Sequence, residues 1–184
     1  MTTPAPVERY DGIAQALHWL TFGLLAISIP VAIVLAKAPP EGALKFRLYT
    51  LHESIGLTVW LITVARLVWR VRHPPPVLAN MPHLLARLRH VVHGGLYALL
   101  LTMPIVGWAG GSAFGFPPDF WWLVQLPPIT PQDKTLGALL IGAHKALGYA
   151  LIVLLAFHVI AALFHHFVWK DGTLTRMMPR PRSG

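Results

Sequence analysis

The sequence predicts an all-α integral membrane protein, a four-helix bundle, and three observations carry that prediction. The chain of 184 residues is 55% hydrophobic and 12% charged, about half the ~25% of charge usual in soluble domains, and its mean hydropathy is +0.57. It contains four apolar stretches, each long enough for the ~20 residues a helix needs to cross a bilayer. Histidines recur inside those stretches. Ionisable groups are expensive in lipid, so they face the bundle interior and mark function.

Taken in order, residues 1–10 read as a tail before one membrane domain over 11–172. No basic segment leads into a short apolar run with a small-residue cleavage site, so the first span is expected to serve for targeting. That span covers Ile13 to Ala36, with His18 near its start and Pro30 inside, where a kink is tolerated. Residues 37–47 read as a loop. The second span covers Leu48 to Trp69, with His52 near its start and Arg66 near its end. Residues 70–90 form a basic connector whose Pro74–Pro76 run cannot be helix interior. The third span covers Val91 to Gly110, entered past His90 and His93. The connector 111–134 carries Phe114, Phe116, Phe120, Trp121 and Trp122, which suits a membrane surface and allows a short helix there. The fourth span covers Leu136 to Trp169, with Gly172 as its stop. A basic tail, 173–184, follows.

Charge sets the expected orientation. Arg9, Arg66, Arg70, Arg72, Arg87, Arg89, Lys170, Arg176, Arg180 and Arg182 fall on one side. Lys37, Lys45, Arg47, Lys134 and Lys145 fall on the other. The positive-inside rule puts both termini in the cytoplasm. The net charge of +8 is thus membrane topology rather than a nucleic-acid footprint. The absence of cysteine excludes disulfides, iron–sulfur ligation and thioether-linked haem.

The fourth span carries His144, His158, His165 and His166. The step from His144 to His158 returns to within about 40° of one helix face and rises roughly 21 Å, most of a bilayer core. Chain direction then sets depth. His52 and His144 fall near the outer face, and His18 and His158 near the inner one. The expectation is two bis-imidazole metal sites, each joining the fourth helix to a partner. His165 continues the stripe one heptad on and is a substitute for His158 on geometry alone. LHESIG and AHKALG both place a glycine four residues after histidine, one turn on. The gap suits a flat macrocycle, and it equally suits close helix packing.

QALHWL, TLHESIG, AHKALGY and AFHVIAALFHHFVWKDGTLTRMMPR together resemble the bacterial cytochrome b561 family from Tyr10 onward. The resemblance implies a multi-pass protein of the bacterial inner membrane that binds two haem b, with His18, His52, His144 and His158 as axial iron ligands. The chain looks most like the superoxide-oxidising members. These imply an oxidoreductase taking electrons from superoxide at the periplasmic face to ubiquinone near the cytoplasmic face. Lys45, Arg47 and Lys145 would then steer superoxide, although Lys145 also suits a snorkelling helix end. His165, His166, Trp169 and Lys170 would surround the quinone, against the alternative of interfacial anchoring. Two other readings stand beside this one. One is an electron-carrier subunit serving a partner dehydrogenase or hydrogenase. The other is a histidine-lined proton or metal transporter.

Overall fold

The computed structural model describes residues 9–38, 42–74, 76 and 82–179. Residues 1–8, Arg180 and Arg182 lie outside them. Four helices dominate: α1 Gly12–Lys37, α2 Ala43–Arg72, α3 His83–Ala113 and α4 Lys134–Phe164. All four are long and apolar enough to cross a membrane. Their lipid-facing sides are rich in exposed apolar residues such as Leu20, Ile27, Ile33, Leu139, Val153 and Ile160. In water such a surface would be an association site; here it meets acyl chains.

Asp11 starts α1, its side chain accepting from the amides of Ile13 and Ala14 at 3.0 and 2.9 Å, an N-cap that satisfies two orphan donors. Pro30 and Pro104 lie inside continuous helices. Four helix ends overrun the sequence expectation by three residues or more, α2 running from Ala43 to Arg72 and α3 from His83 to Ala113. Residues 43–47 are the first turn of α2 rather than loop, and 83–90 are helix rather than connector. Both stretches are charged, so hydropathy ends where the hydrocarbon ends; the helix continues into the polar interface.

The close helix pairs are α1–α2, α2–α3 and α3–α4. Leu25, Ile55, Val59, Leu100 and Leu151 form the buried core. Glycines let α3 approach α4: a methyl group on Gly95 would stand 2.8 Å from Leu154, and one on Gly110 2.8 Å from Ile141. Buried Thr21 and Thr63 return their hydroxyls to Leu17 O and Val59 O, each at 2.7 Å, so neither leaves a polar group unpaired in the bundle.

The connector between α3 and α4 is a two-stranded antiparallel hairpin, β1 Asp119–Phe120 and β2 Val124–Gln125, rather than a helix. At the opposite end the C-terminal segment is not a loose tail where it is described. It folds back on the start of α1, with Tyr10 N donating to Arg176 O at 3.1 Å and Trp19 Nε1 to Met177 O at 2.7 Å. This is the terminal end of the bundle, and the hairpin marks the distal end.

Candidate functional site

The helices deliver histidines at two depths. At the distal end, His52 of α2 and His144 of α4 have ring centres 6.0 Å apart. At the terminal end, His18 of α1 and His158 of α4 have ring centres 6.2 Å apart. Both pairs are those expected from span direction. They bridge α4 to α2 and to α1, helices against which α4 packs less closely than against α3. With metal–nitrogen bonds of about 2.0–2.1 Å, and ring nitrogens about 1 Å from the ring centre, one metal between two imidazoles sets their centres about 6 Å apart. Both pairs fit that spacing.

Room beside the rings agrees. A Cβ on Gly56, one turn beyond His52, meets nothing within 4 Å, and one on Gly148, one turn beyond His144, meets Met103 Sδ at 3.9 Å. A flat macrocycle could lie along either helix there. Among the described residues no group of three or more His, Asp and Glu is arranged to hold a metal ion. A metal that brings its own equatorial nitrogens therefore suits these sites best.

Hydrogen bonds aim the rings. His144 Nδ1 lies 2.9 Å from Met103 O, so Nδ1 donates and Nε2 is left as the free donor atom, the arrangement metal-ligating histidines commonly use. A methyl group on Gly107 would stand 2.8 Å from His144 Nδ1, so only glycine leaves the ring its place. His52 Nδ1 lies 3.3 Å from Ser28 Oγ. His18 differs: its Nδ1 accepts from Arg66 Nη2 at 3.2 Å, which puts the ring's proton on Nε2 rather than on Nδ1.

Sequence reasoning gave His93 little weight, yet the structure packs its ring 5.2 Å from that of His158, with its Nδ1 donating to Arg89 O at 2.8 Å. That separation is shorter than a shared metal sets, so the contact is packing. Nothing short of the third helix's register would have put His93 there.

The residues expected around a quinone are only partly brought together. After α4, residues 165–169 make a π-helical turn, a form frequent at functional sites. Lys170 then adopts a left-handed conformation, φ 52°, and turns the chain so that Asp171 reaches back. His165 Nδ1 meets Asp171 Oδ2 at 2.5 Å and Thr173 Oγ1 at 3.3 Å. The Trp169 ring lies 4.6 Å from that of His165. Burial would raise the Asp171 carboxyl, but hydrogen bonds from His165 and Thr173 outweigh it and hold it below the usual carboxylate value. His166 instead packs on Phe167, ring centres 4.8 Å apart, and Lys170 is exposed. Asp171 was not foreseen, although its place six residues after His165 was visible.

At the distal end, Lys45 lies 6.0 Å over the Tyr49 ring, and Arg47 and Lys145 are exposed. The hairpin sits beside His52, with Ser54 Oγ accepting from Trp121 N at 2.7 Å.

Four membrane-crossing helices with two stacked imidazole pairs make the framework of a membrane cytochrome b. Comparison with known proteins agrees. Residues 9–180 match the prokaryotic cytochrome b561 family, and the chain belongs to that family, whose members bind haem b and transfer electrons. Cytochrome b561 homolog 2 of Escherichia coli (strain K12) is 34% identical, over 96% of this chain and 94% of that protein. Cytochrome b561 homolog 1 of the same organism is 32% identical, over 95% and 99%. Probable superoxide oxidase CybB of Yersinia pestis is 29% identical, over 96% and 99%.

Proposed function

We propose that this protein moves electrons from superoxide to ubiquinone across the bacterial inner membrane, through two haem b. The terminal end faces the cytoplasm and the distal end the periplasm. His52 and His144 would hold the iron of the outer haem, and His18 and His158 that of the inner one. The observation that carries the reading is the pair of ring spacings, 6.0 and 6.2 Å, at two depths of one helix. The relative named as a probable superoxide oxidase, at 29% identity, supports the choice of donor.

Haem supplies reversible one-electron chemistry to both ends. The chain supplies the rest. Lys45, Arg47 and Lys145 make the distal end cationic, which concentrates a small anion there. Two superoxide anions each lose one electron and leave as dioxygen. At the cytoplasmic end one quinone gains two electrons and two protons and leaves as quinol. His165 is the hydrogen-bond partner for a quinone oxygen. Asp171 holds its Nδ1, which leaves Nε2 to pass a proton, and the Trp169 ring flanks the site.

The test uses purified protein reduced with superoxide as sole donor. Wild type should reduce a short-chain ubiquinone, and its reduced haem should reoxidise rapidly when quinone is added. His52→Ala or His144→Ala should remove the outer haem, and His18→Ala or His158→Ala the inner one. Each should abolish the reaction. Haem reduction only by a dehydrogenase or hydrogenase, with none by superoxide, would instead favour the carrier-subunit role.

A further inference from the structure

We propose that Arg66 and Arg70, gathered with Tyr97 beside His18, form a guanidinium clamp for the paired carboxylates of the porphyrin at the terminal imidazole pair. The inference rests on the haem reading above and assigns residues that the ligand pairs leave unexplained.

Arg66 and Arg70 stand one turn apart on α2 and share a face. Their guanidinium carbons lie 5.6 and 5.9 Å from the centre of the Tyr97 ring on α3. A cleft at the terminal end is lined by both arginines with Tyr10, Leu17, Trp69 and Tyr97. Among the described residues no Asp or Glu oxygen lies within 4.0 Å of either guanidinium. Asp11, at the same end, is engaged with its own helix N-terminus and with Trp69 Nε1, at 3.0 and 3.1 Å. Two cations in one half-buried cleft without a carboxylate are costly in a membrane protein.

The bond that Arg66 does make points the same way. A guanidinium has five donors and no acceptor, and the partner of Arg66 is His18 Nδ1, at 3.2 Å. In that bond Nδ1 must accept. A neutral imidazole whose Nε2 binds a metal carries its proton on Nδ1 and can only donate. The Arg66–His18 bond and ligation by His18 are therefore mutually exclusive, and loading the site sets Arg66 free beside it. A planar fork then needs an oxygen anion, and a carboxylate matches it bidentately. Porphyrin b carries two such groups, and the cleft offers two forks. Serving as a surface anchor would explain the charge of Arg66 but not its place against a ligand histidine.

The experiment follows haem transfer from full-length holoprotein in detergent to excess apomyoglobin. Arg66→Gln should lose one of its two haems about tenfold faster than wild type, the scale of one charged hydrogen bond. Arg66→Lys, with the charge but not the fork, should fall between, and the second haem should leave at the wild-type rate. Redox-difference infrared spectra with haem labelled by carbon-13 at its carboxyls give a second readout: the labelled bands should shift in Arg66→Gln. If that variant does not accumulate, Arg70→Gln reads the same clamp. Two haems with wild-type release and unshifted bands would overturn the clamp and leave the ligand pairs standing. Were that result joined by loss of a preference for phosphatidylglycerol over phosphatidylcholine nanodiscs, the cleft would be a lipid-phosphate site. A chain without haem would overturn the clamp and the function together.

Discussion

Gly107 has no side chain because His144 takes the space. A methyl group there would press on the imidazole at 2.8 Å, a distance at which something must move, and the bond from Nδ1 to Met103 O is what would give. Gly107→Ala should therefore lower occupancy of the outer haem while the inner one stays, measured as haem per chain. Asp171 acts at the other end. Asp171→Asn should spare both haems and slow quinone reduction several-fold, because His165 loses its charged partner; an unchanged rate would return Asp171 to a purely structural turn. The carboxyl is held below its ordinary value, so its stabilisation of the turn is present above the unfolded pKa. It is lost as pH falls through the lowered folded one. Hydrogen exchange over 171–177 should thus rise only below about pH 4. The four histidines and their pairing by depth were legible in the sequence. Gly107 and Asp171 were not read as site residues because each acts on an imidazole through tertiary contact, which spacing does not report.

Among the elements, the hairpin departs most from local preference. Leu123 N donates to Phe120 O at 3.0 Å, closing a turn whose central residues, Trp121 and Trp122, have φ 52° and 56°. Such left-handed positions normally fall to Gly, Asn or Asp, and each costs a tryptophan about 1–2 kcal/mol. Contacts on α2 offset that strain. Trp121 N donates to Ser54 Oγ, Trp121 Nε1 donates to Thr58 Oγ1 at 3.1 Å, and the Trp121 ring packs on the buried core. Ser54 is fully buried. Ser54→Ala should leave the Trp121 amide unpaired, costing about 1–3 kcal/mol, and should speed hydrogen exchange over 116–126 while the helices stay protected. The aromatic composition of 111–134 suited a membrane-surface segment. It did not yield the strands, because anchors more than sixty residues away select them over a surface helix.

For the molecule as a whole, hydropathy reveals four helices because lipid demands a long apolar run from each. Helix direction then fixes which imidazoles meet, since alternate spans run oppositely. The return of the C-terminal segment onto α1 was not legible; its hydrogen bonds go to backbone carbonyls of Arg176 and Met177, which any residue could supply. Electron transfer across the bundle requires that each imidazole pair hold one haem. Haem per chain and the low-temperature electron paramagnetic resonance spectrum of oxidised, purified protein measure this directly. Two low-spin haems per chain, with one lost from each of His144→Ala and His158→Ala, is the predicted result. A colourless protein, or one whose haem content ignores both substitutions, would contradict it.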